Sequence, residues 1–228
     1  YPHLAKHGDR DALFYAELVR RTAELTAQWM SVGFCHAVLN TDNMSITGES
    51  FDYGPFAFIQ TYDLKFAAAY FDHFGRYSYG NQPSICRWNL EMLQYPLALV
   101  MPKSDLDAGL KEFEAAYYKT YRQRMMQKLG FAQSDSPEAE ELLSYTLGFL
   151  QSAQVGYQDF FAELRQLFAD LWLTDAGHIF SNSTLLNKPE WNELLDGWRS
   201  LYFRLLCQLP EREQAEVGDR LRQHNPLT

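Results

Sequence analysis

The chain has 228 residues, 46% of them apolar and 21% charged, with a formal net charge of −9. That is an ordinary globular composition with room for one large domain or two small ones. Its acidic balance argues against nonspecific nucleic-acid binding, which needs a basic surface, and leaves no polybasic handle for anionic lipid; no apolar run is long enough for a membrane span and no signal-peptide pattern opens the chain.

Residues 1–9 are polar and turn-rich. From Asp11 onward Leu13, Leu18, Thr22, Leu25, Trp29 and Met30 recur near three- and four-residue spacing, with Arg20, Arg21 and Glu24 mostly off that face. This predicts an amphipathic helix ending near Gly33, a plausible C-cap, after which Phe34 and Cys35 bury the approach to a polar stretch. That stretch, residues 36–56, carries two polar clusters: His36, Asn40, Asp42 and Asn43, then Asp52, Tyr53 and Gly54. Met44-Ser45-Ile46-Thr47-Gly48 separates them, so the order predicts a polar loop, a small hairpin and a carboxylate brought back beside the loop. Protein kinases use such an arrangement, holding Mg²⁺ with a catalytic-loop Asn and the Asp of a D-F-G motif.

The spacing supports the comparison. His36 and Asn43 are as far apart as His and Asn in H-R-D-L-x-x-x-N, and Leu39 stands at the Leu position. Val38 replaces the usual base Asp, while Asp42 stands directly before the candidate metal Asn. Nine residues after Asn43, Asp52-Tyr53-Gly54 reads as a D-F-G variant. Asn43 and Asp52 offer the oxygen ligands that Mg²⁺ or Mn²⁺ prefers. A three-residue motif alone recurs by chance; with the His-to-Asn spacing it points to a kinase-like site with altered chemistry. His36 reads as a structural hydrogen-bonding group, and Asn40 and Thr41 as turn-formers. Asp42 is either a solvated loop acid or a general base, and with Val38 unable to accept a proton the base is favoured. Asp52 either caps a turn or binds metal, and the Tyr-Gly-Pro-Phe that follows favours the ligand.

Phe56, Phe58, Tyr62, Phe66, Tyr70, Phe71 and Phe74 make the next segment aromatic, which reads as packing under a loop rather than as a base-stacking surface. Residues 75–83 form a loop by their glycines and proline, with Arg76 reaching either an active-site carboxylate or a surface partner. A helix follows Pro83 and ends before Pro96. Asp107 caps another, with Leu110, Phe113, Tyr117, Tyr121, Met125 and Leu129 on one stripe and Gly130 closing it. Ser136-Pro137, Asp159, Pro189 and Pro210 open four more, the last running through Arg222, and residues 174–188, with His178, read as a loop. Cys35, Cys86 and Cys207 are widely spaced without a C-x-x-C pair and read as reduced thiols.

The strings His36 to Asn43, Asp52-Tyr53-Gly54-Pro55-Phe56, Gly75-Arg76-Tyr77-Ser78-Tyr79 with Asn81-Gln82-Pro83, and Trp88-Asn89-Leu90 resemble the selenoprotein O family, whose members carry H-G-V-M-N-T-D-N-M-S, D-Y-G-P-F and G-R-Y-x-x-x-N-Q-P. The resemblance is sharp from about residue 29 to 93 and agrees beyond that only in helical character. It implies a protein-kinase-like fold that binds ATP in a flipped orientation and transfers AMP to protein hydroxyl groups. On this reading Asp42 is the proton acceptor, Asn43 and Asp52 bind Mg²⁺ or Mn²⁺, and Asp52 also lies against ATP; His36 and Arg76 support them.

The fold expected is mainly α: the C-terminal lobe of a kinase-like α+β fold over residues 1–103, with a small β-hairpin at the catalytic and D-Y-G loops, and a helical extension over residues 104–228. Nothing ahead of His36 resembles a Gly-rich nucleotide loop, so the chain reads as part of a longer enzyme whose N-terminal lobe lies elsewhere. The full-length protein is expected to modify Ser, Thr or Tyr of protein substrates as a monomer, without nucleic acid or membrane, in the cytoplasm of a bacterium or the mitochondrion of a eukaryote. A conventional phosphotransferase and an inactive ATP-binding scaffold are the alternatives. Many family members have a cysteine between D-Y-G-P-F and G-R-Y; residues 57–74 contain none, which puts redox control in question.

Overall fold

The structure, a computed structural model, describes residues 1–132 and 135–225. It is mainly helical, as expected, with one two-stranded sheet among the described residues. The chain divides into two compact units, residues 1–59 with 63–121, and residues 60–62 with 122–228. No described helix is long and apolar enough to cross a membrane.

The first unit is built on α1 (Arg10–Ser31), which packs against α2 (Gln82–Leu97) and α3 (Lys103–Leu110). Its buried face combines large residues (Tyr15, Leu18, Trp29, Met30) with small ones (Ala23, Thr26, Ala27), whereas Leu13, expected on that face, is exposed. The small residues let neighbouring helices approach closely, a pattern that counting large apolar side chains misses. Gly109 serves the same end from α3, since a Cβ there would lie 2.9 Å from Tyr15 Cδ1. The Tyr15 hydroxyl donates to Leu90 O at 2.9 Å, tying α1 to α2 through a buried bond.

Three helix boundaries differ from expectation. Pro96 lies inside the last turn of α2, where a missing N–H costs one bond, and Ala98 N–H still reaches Gln94 O at 2.8 Å. Asp107 does not cap a helix: it sits within α3 and takes Lys103 Nζ at 2.7 Å, while α4 (Glu112–Lys128) begins after a break at Lys111. In the second unit α6 (Tyr157–Leu167) opens two residues before Asp159 and stops where Phe168 turns to extended backbone, leaving Trp172 in a separate 3-10 turn.

The second unit packs α5 (Pro137–Ala153) against α7 (Asn192–Gln208), with α6 and α8 (Glu211–His224) also in contact. Ser136 Oγ caps α5 by accepting Ala139 N–H at 3.1 Å, and Pro137 occupies the first turn as expected. The core is aromatic. Trp198 stacks on Tyr202 at 4.6 Å between ring centroids and donates from Nε1 to Thr146 Oγ1 at 2.8 Å. The expected loop at residues 174–188 is anchored rather than free, because Ile179, Phe180 and Leu186 are fully buried. His178 sits in a 3-10 turn that Asp175 caps at Gly177 N. Residues 60–62 join this unit through Tyr157 N–H, which donates to Gln60 O at 2.7 Å.

Candidate active site

Gly33 ends α1 with φ +72° and turns the chain into β1 (Phe34–Cys35), which pairs antiparallel with β2 (Ala57–Phe58). Phe34 faces Phe58, Cys35 faces Ala57, and Ile59 N–H reaches Gly33 O at 2.8 Å. The short ladder closes residues 36–56 into a loop pinned at its base. Inside it the expected hairpin is reduced to one antiparallel bridge, Met44 to Ser50, with Ser45 N–H donating to Glu49 O at 2.9 Å and Gly48 at φ +80° making the turn. A Cβ on Gly48 would come within 2.5 Å of Arg21 Cβ, so the turn lies directly against α1.

Gln82, fully buried at the start of α2, holds the entrance to this loop. Its Oε1 accepts His36 N–H at 2.9 Å and its Nε2 donates to Phe34 O at 2.8 Å. His36 is itself fully buried. Val38 N–H donates to His36 Nδ1 at 3.4 Å, which leaves the ring proton on Nε2, 3.0 Å from Ser50 Oγ. Ser50 Oγ in turn donates to Asn43 O at 2.6 Å. Burial pushes the His36 pKa below its ordinary value, with the backbone of Phe51 and the charge of Asp52 opposing, so the ring stays neutral as a two-bond spacer. The Tyr53 ring covers it at 4.9 Å between centroids.

Asn40 makes the following 3-10 turn, residues 41–43. Its Oδ1 accepts Asp42 N–H at 3.2 Å and Asn43 N–H at 3.1 Å, the turn-forming role read from its type. Asn43 is buried, and its Nδ2 donates to Val38 O at 2.8 Å. That bond fixes the amide and leaves Oδ1 as the atom able to meet a cation. Asp42 and Asp52 are exposed, and neither carboxylate has a hydrogen bond or ion pair among the described residues. Phe51 N–H donates to Asn43 O at 3.4 Å, so Asp52 follows a residue bonded to the candidate metal Asn. The structure therefore brings His36, Asn43 and the approach to Asp52 into one bonded cluster, with Asp42 on its open side.

Arg76 is placed elsewhere. Its guanidinium lies over the rings of Trp88 and Tyr77, 5.2 and 5.5 Å from their centroids, and it makes no ion pair among the described residues. Sequence reasoning missed three groups: Ser50, Gln82, and Asn89, whose Nδ2 donates to Leu39 O at 3.0 Å. Gln82 and Asn89 fell within noted strings, but their work is done on partners 46 and 50 residues away. Cys35, Cys86 and Cys207 are free thiols, and burial pushes that of Cys86 up to about 12.

Two backbone outliers stand in the loop, Ala37 at φ +74° and Asp52 at φ +57°. Ala37 is buried and occupies the place of glycine in the H-G-V-M-N string, so its methyl group carries a left-handed penalty of about 1–2 kcal/mol. Ala37→Gly is expected to stabilise the chain by a few tenths to ~1 kcal/mol, gains in strain exceeding the cost in unfolded-state entropy. Denaturant unfolding checks this, and a less stable variant would show that Ala37 is unstrained.

No group of three His, Cys, Asp or Glu residues among those described could enclose a metal ion. Asn43 Oδ1 and the Asp52 carboxylate are hard oxygen donors, suited to an ion that completes its shell with phosphate oxygens and water, as Mg²⁺ does. The donor chemistry fits such an ion.

A family model described as "Protein adenylyltransferase SelO" matches residues 1–228. The chain is 53% identical over its whole length to a "Protein nucleotidyltransferase YdiU" of Trichormus variabilis, covering 47% of that protein. It is 54% identical over its whole length to the protein of the same name from Gloeobacter violaceus, covering 46% of it. A "Protein adenylyltransferase SelO, mitochondrial" of Mus musculus is 39% identical over 176 residues, 77% of this chain and 26% of the mouse protein. The chain thus spans about half the length of the bacterial relatives it matches.

Proposed function

The chain belongs to the SelO family of protein adenylyltransferases, and from that premise we propose that it carries the catalytic loop of a full-length enzyme that moves AMP from ATP to Ser, Thr or Tyr hydroxyls of proteins. The observation that carries the reading is the clamp on Asn43: Nδ2 is spent on Val38 O, Oδ1 is left for a cation, and Ser50 and Phe51 bond to the same residue's carbonyl just before Asp52. The fold around the loop is, on this reading, the C-terminal lobe of a kinase-like fold, with α1 delivering the chain to the catalytic loop.

The placement supports the following roles. Asp42 is exposed beside Asn43, where it accepts the proton of the attacking hydroxyl. That oxygen bonds to the α-phosphorus, the bond to the bridging oxygen breaks, and pyrophosphate leaves with its electron pair. Mg²⁺ or Mn²⁺, held by Asn43 and Asp52, would supply charge neutralisation on the phosphates. His36 does not touch substrate on this reading. It keeps Asn43 in place through Ser50.

The test uses the full-length protein with Mg²⁺ or Mn²⁺ and ATP labelled separately at the α- or γ-phosphate. Protein label from the α-position alone is expected. Label from the γ-position alone would make it a phosphotransferase with a relocated base, and ATP binding without either label would make it a scaffold.

A further inference from the structure

Asn43 and Asp52 stand on the two arms of one turn. Asn43 directly precedes Met44, Asp52 follows Ser50 by two residues, and Met44 and Ser50 form the antiparallel bridge. The seat of the tip, residues 45–48, therefore sets how the two arms lie. The tip has little to hold it from within. Ser45 Oγ meets Thr47 Oγ1 at 2.8 Å, Thr47 Oγ1 donates to Glu49 Oε2 at 2.7 Å, and both Ile46 and Thr47 are exposed. A two-stranded hairpin on its own is marginally stable in water.

α1 and the segment before it supply the hold. A Cβ on Gly48 would lie 2.5 Å from Arg21 Cβ and 3.2 Å from its Cδ, so the bare glycine rests on the Arg21 stem. Two consecutive carbonyls of the tip then meet donors. Tyr1 Oη donates to Ile46 O at 3.1 Å, and Arg21 Nη1 to Thr47 O at 3.5 Å. The donors also touch each other, the guanidinium lying 4.7 Å over the Tyr1 ring. Glu17, one helical turn earlier, aims the fork. Its Oε1 accepts from Arg21 Nε at 2.9 Å and from Nη2 at 2.5 Å, which leaves Nη1 toward the turn, and its Oε2 meets His3 Nε2 at 2.7 Å. Such an i,i+4 pair adds only a little helix stability; a guanidinium held by two of its N–H groups gains a fixed direction. Arg20, the next residue back, reaches Glu112 instead at 3.3 Å.

We propose that Arg21, aimed by Glu17 and supported by Tyr1, is a positioning residue for AMP transfer: it seats the 45–48 turn on α1 and so fixes Asn43 and Asp52 relative to each other. It touches neither substrate nor metal. The seat stands on these contacts alone; the positioning role rests on the proposed function.

The test uses the full-length protein. Arg21→Ala keeps the Cβ beneath Gly48 and removes the fork. Without metal or nucleotide, the amides of Ser45, Gly48 and Phe51, which bond within the loop, should exchange about tenfold faster, while those of α2 keep the parent's rate. Mn²⁺ affinity, read from the resonance of the free ion with α,β-methylene ATP present, should fall roughly threefold to tenfold, at or below the range for groups bonded directly to metal ligands. Transfer should need correspondingly more metal, with kcat at saturating metal nearly unchanged. Arg21→Lys should fall between, since an ammonium cannot reproduce the fork. Tyr1→Phe removes only the bond to Ile46 O and should shift exchange and affinity the same way by less; it decides the matter if Arg21→Ala folds poorly. Arg20→Ala should change none of these. Parent-like exchange in both Arg21→Ala and Tyr1→Phe would overturn the seat. Faster exchange with unchanged Mn²⁺ affinity would overturn the positioning role, and a lysine variant equal to the parent would overturn the role of the fork. A parent without AMP transfer would overturn the proposed function and with it the positioning role, while exchange would still decide the seat.

Discussion

On the proposed roles, Asp52→Ala is expected to lower metal-dependent AMP transfer by the full-length protein roughly 10²–10³-fold, the scale on which loss of one charge-stabilising group acts. The physical reason to separate this loss from misfolding is that the Asp52 side chain supports nothing. Its carboxylate is exposed and has no hydrogen bond or ion pair among the described residues. Its backbone adopts φ +57°, which costs a non-glycine residue free energy, although Asp tolerates it better than most. A carboxylate kept in a disfavoured conformation without a structural partner is a candidate for work on a ligand. The variant should therefore unfold within a few °C of the parent, and Asp52→Gly should unfold slightly higher. Unchanged transfer would remove Asp52 from the site. Loss of activity together with a large fall in the unfolding midpoint would show that the residue holds the loop. Asp42→Asn gives the matching contrast: transfer is lost while ATP binding survives, since a proton acceptor contributes to the step and not to the affinity.

What the sequence disclosed and what it hid divide along the range of the interactions. The turn-forming role of Asn40 was legible because a short polar side chain bonds the backbone two and three residues on, and such local chemistry is written in the chain. The Ser136-Pro137 start of α5 was legible for the same reason, a cap being local chemistry. The strands at the base of the loop were not: Phe34–Cys35 and Ala57–Phe58 are two residues each, too short to show an alternation, and exist because the loop between them is closed. The break at Lys111 and the early start of α6 at Tyr157 are set by packing, where propensity is a weak guide. Arg76 shows the limit of reading charge from sequence. A guanidinium expected to seek a carboxylate or a surface ion lies on the faces of Trp88 and Tyr77, where its planar shape counts as much as its charge.

Gln82→Leu is expected to destabilise the protein by roughly 3–5 kcal/mol, because the change keeps side-chain volume while orphaning a buried donor and a buried acceptor together. Gln82 Oε1 takes the N–H of His36, and Nε2 serves Phe34 O. Both residues are buried, so water cannot easily replace the lost partners, and each group left bare costs about 1–3 kcal/mol. The Met30 Sδ contact at 3.4 Å adds little, thioether sulfur being a weak acceptor. Gln82→Glu is the sharper control. One of its oxygens can still accept from His36, but the other then faces Phe34 O, so the variant should fall between parent and Gln82→Leu only if protonated, and its midpoint should drop as pH rises and the carboxylate ionises. Because His36 passes its position to Ser50 and Ser50 to Asn43, the damage should reach the proposed cation site: full-length Gln82→Leu protein that remains folded should need more Mg²⁺ or Mn²⁺ for half-maximal transfer. Denaturant unfolding measures the first effect and a metal titration the second. Lost stability with an unchanged metal requirement would show that the amide holds the strand and helix together without governing the loop; an unchanged stability would mean that water reaches His36 N–H, and that the entrance to the loop is more open than its burial indicates.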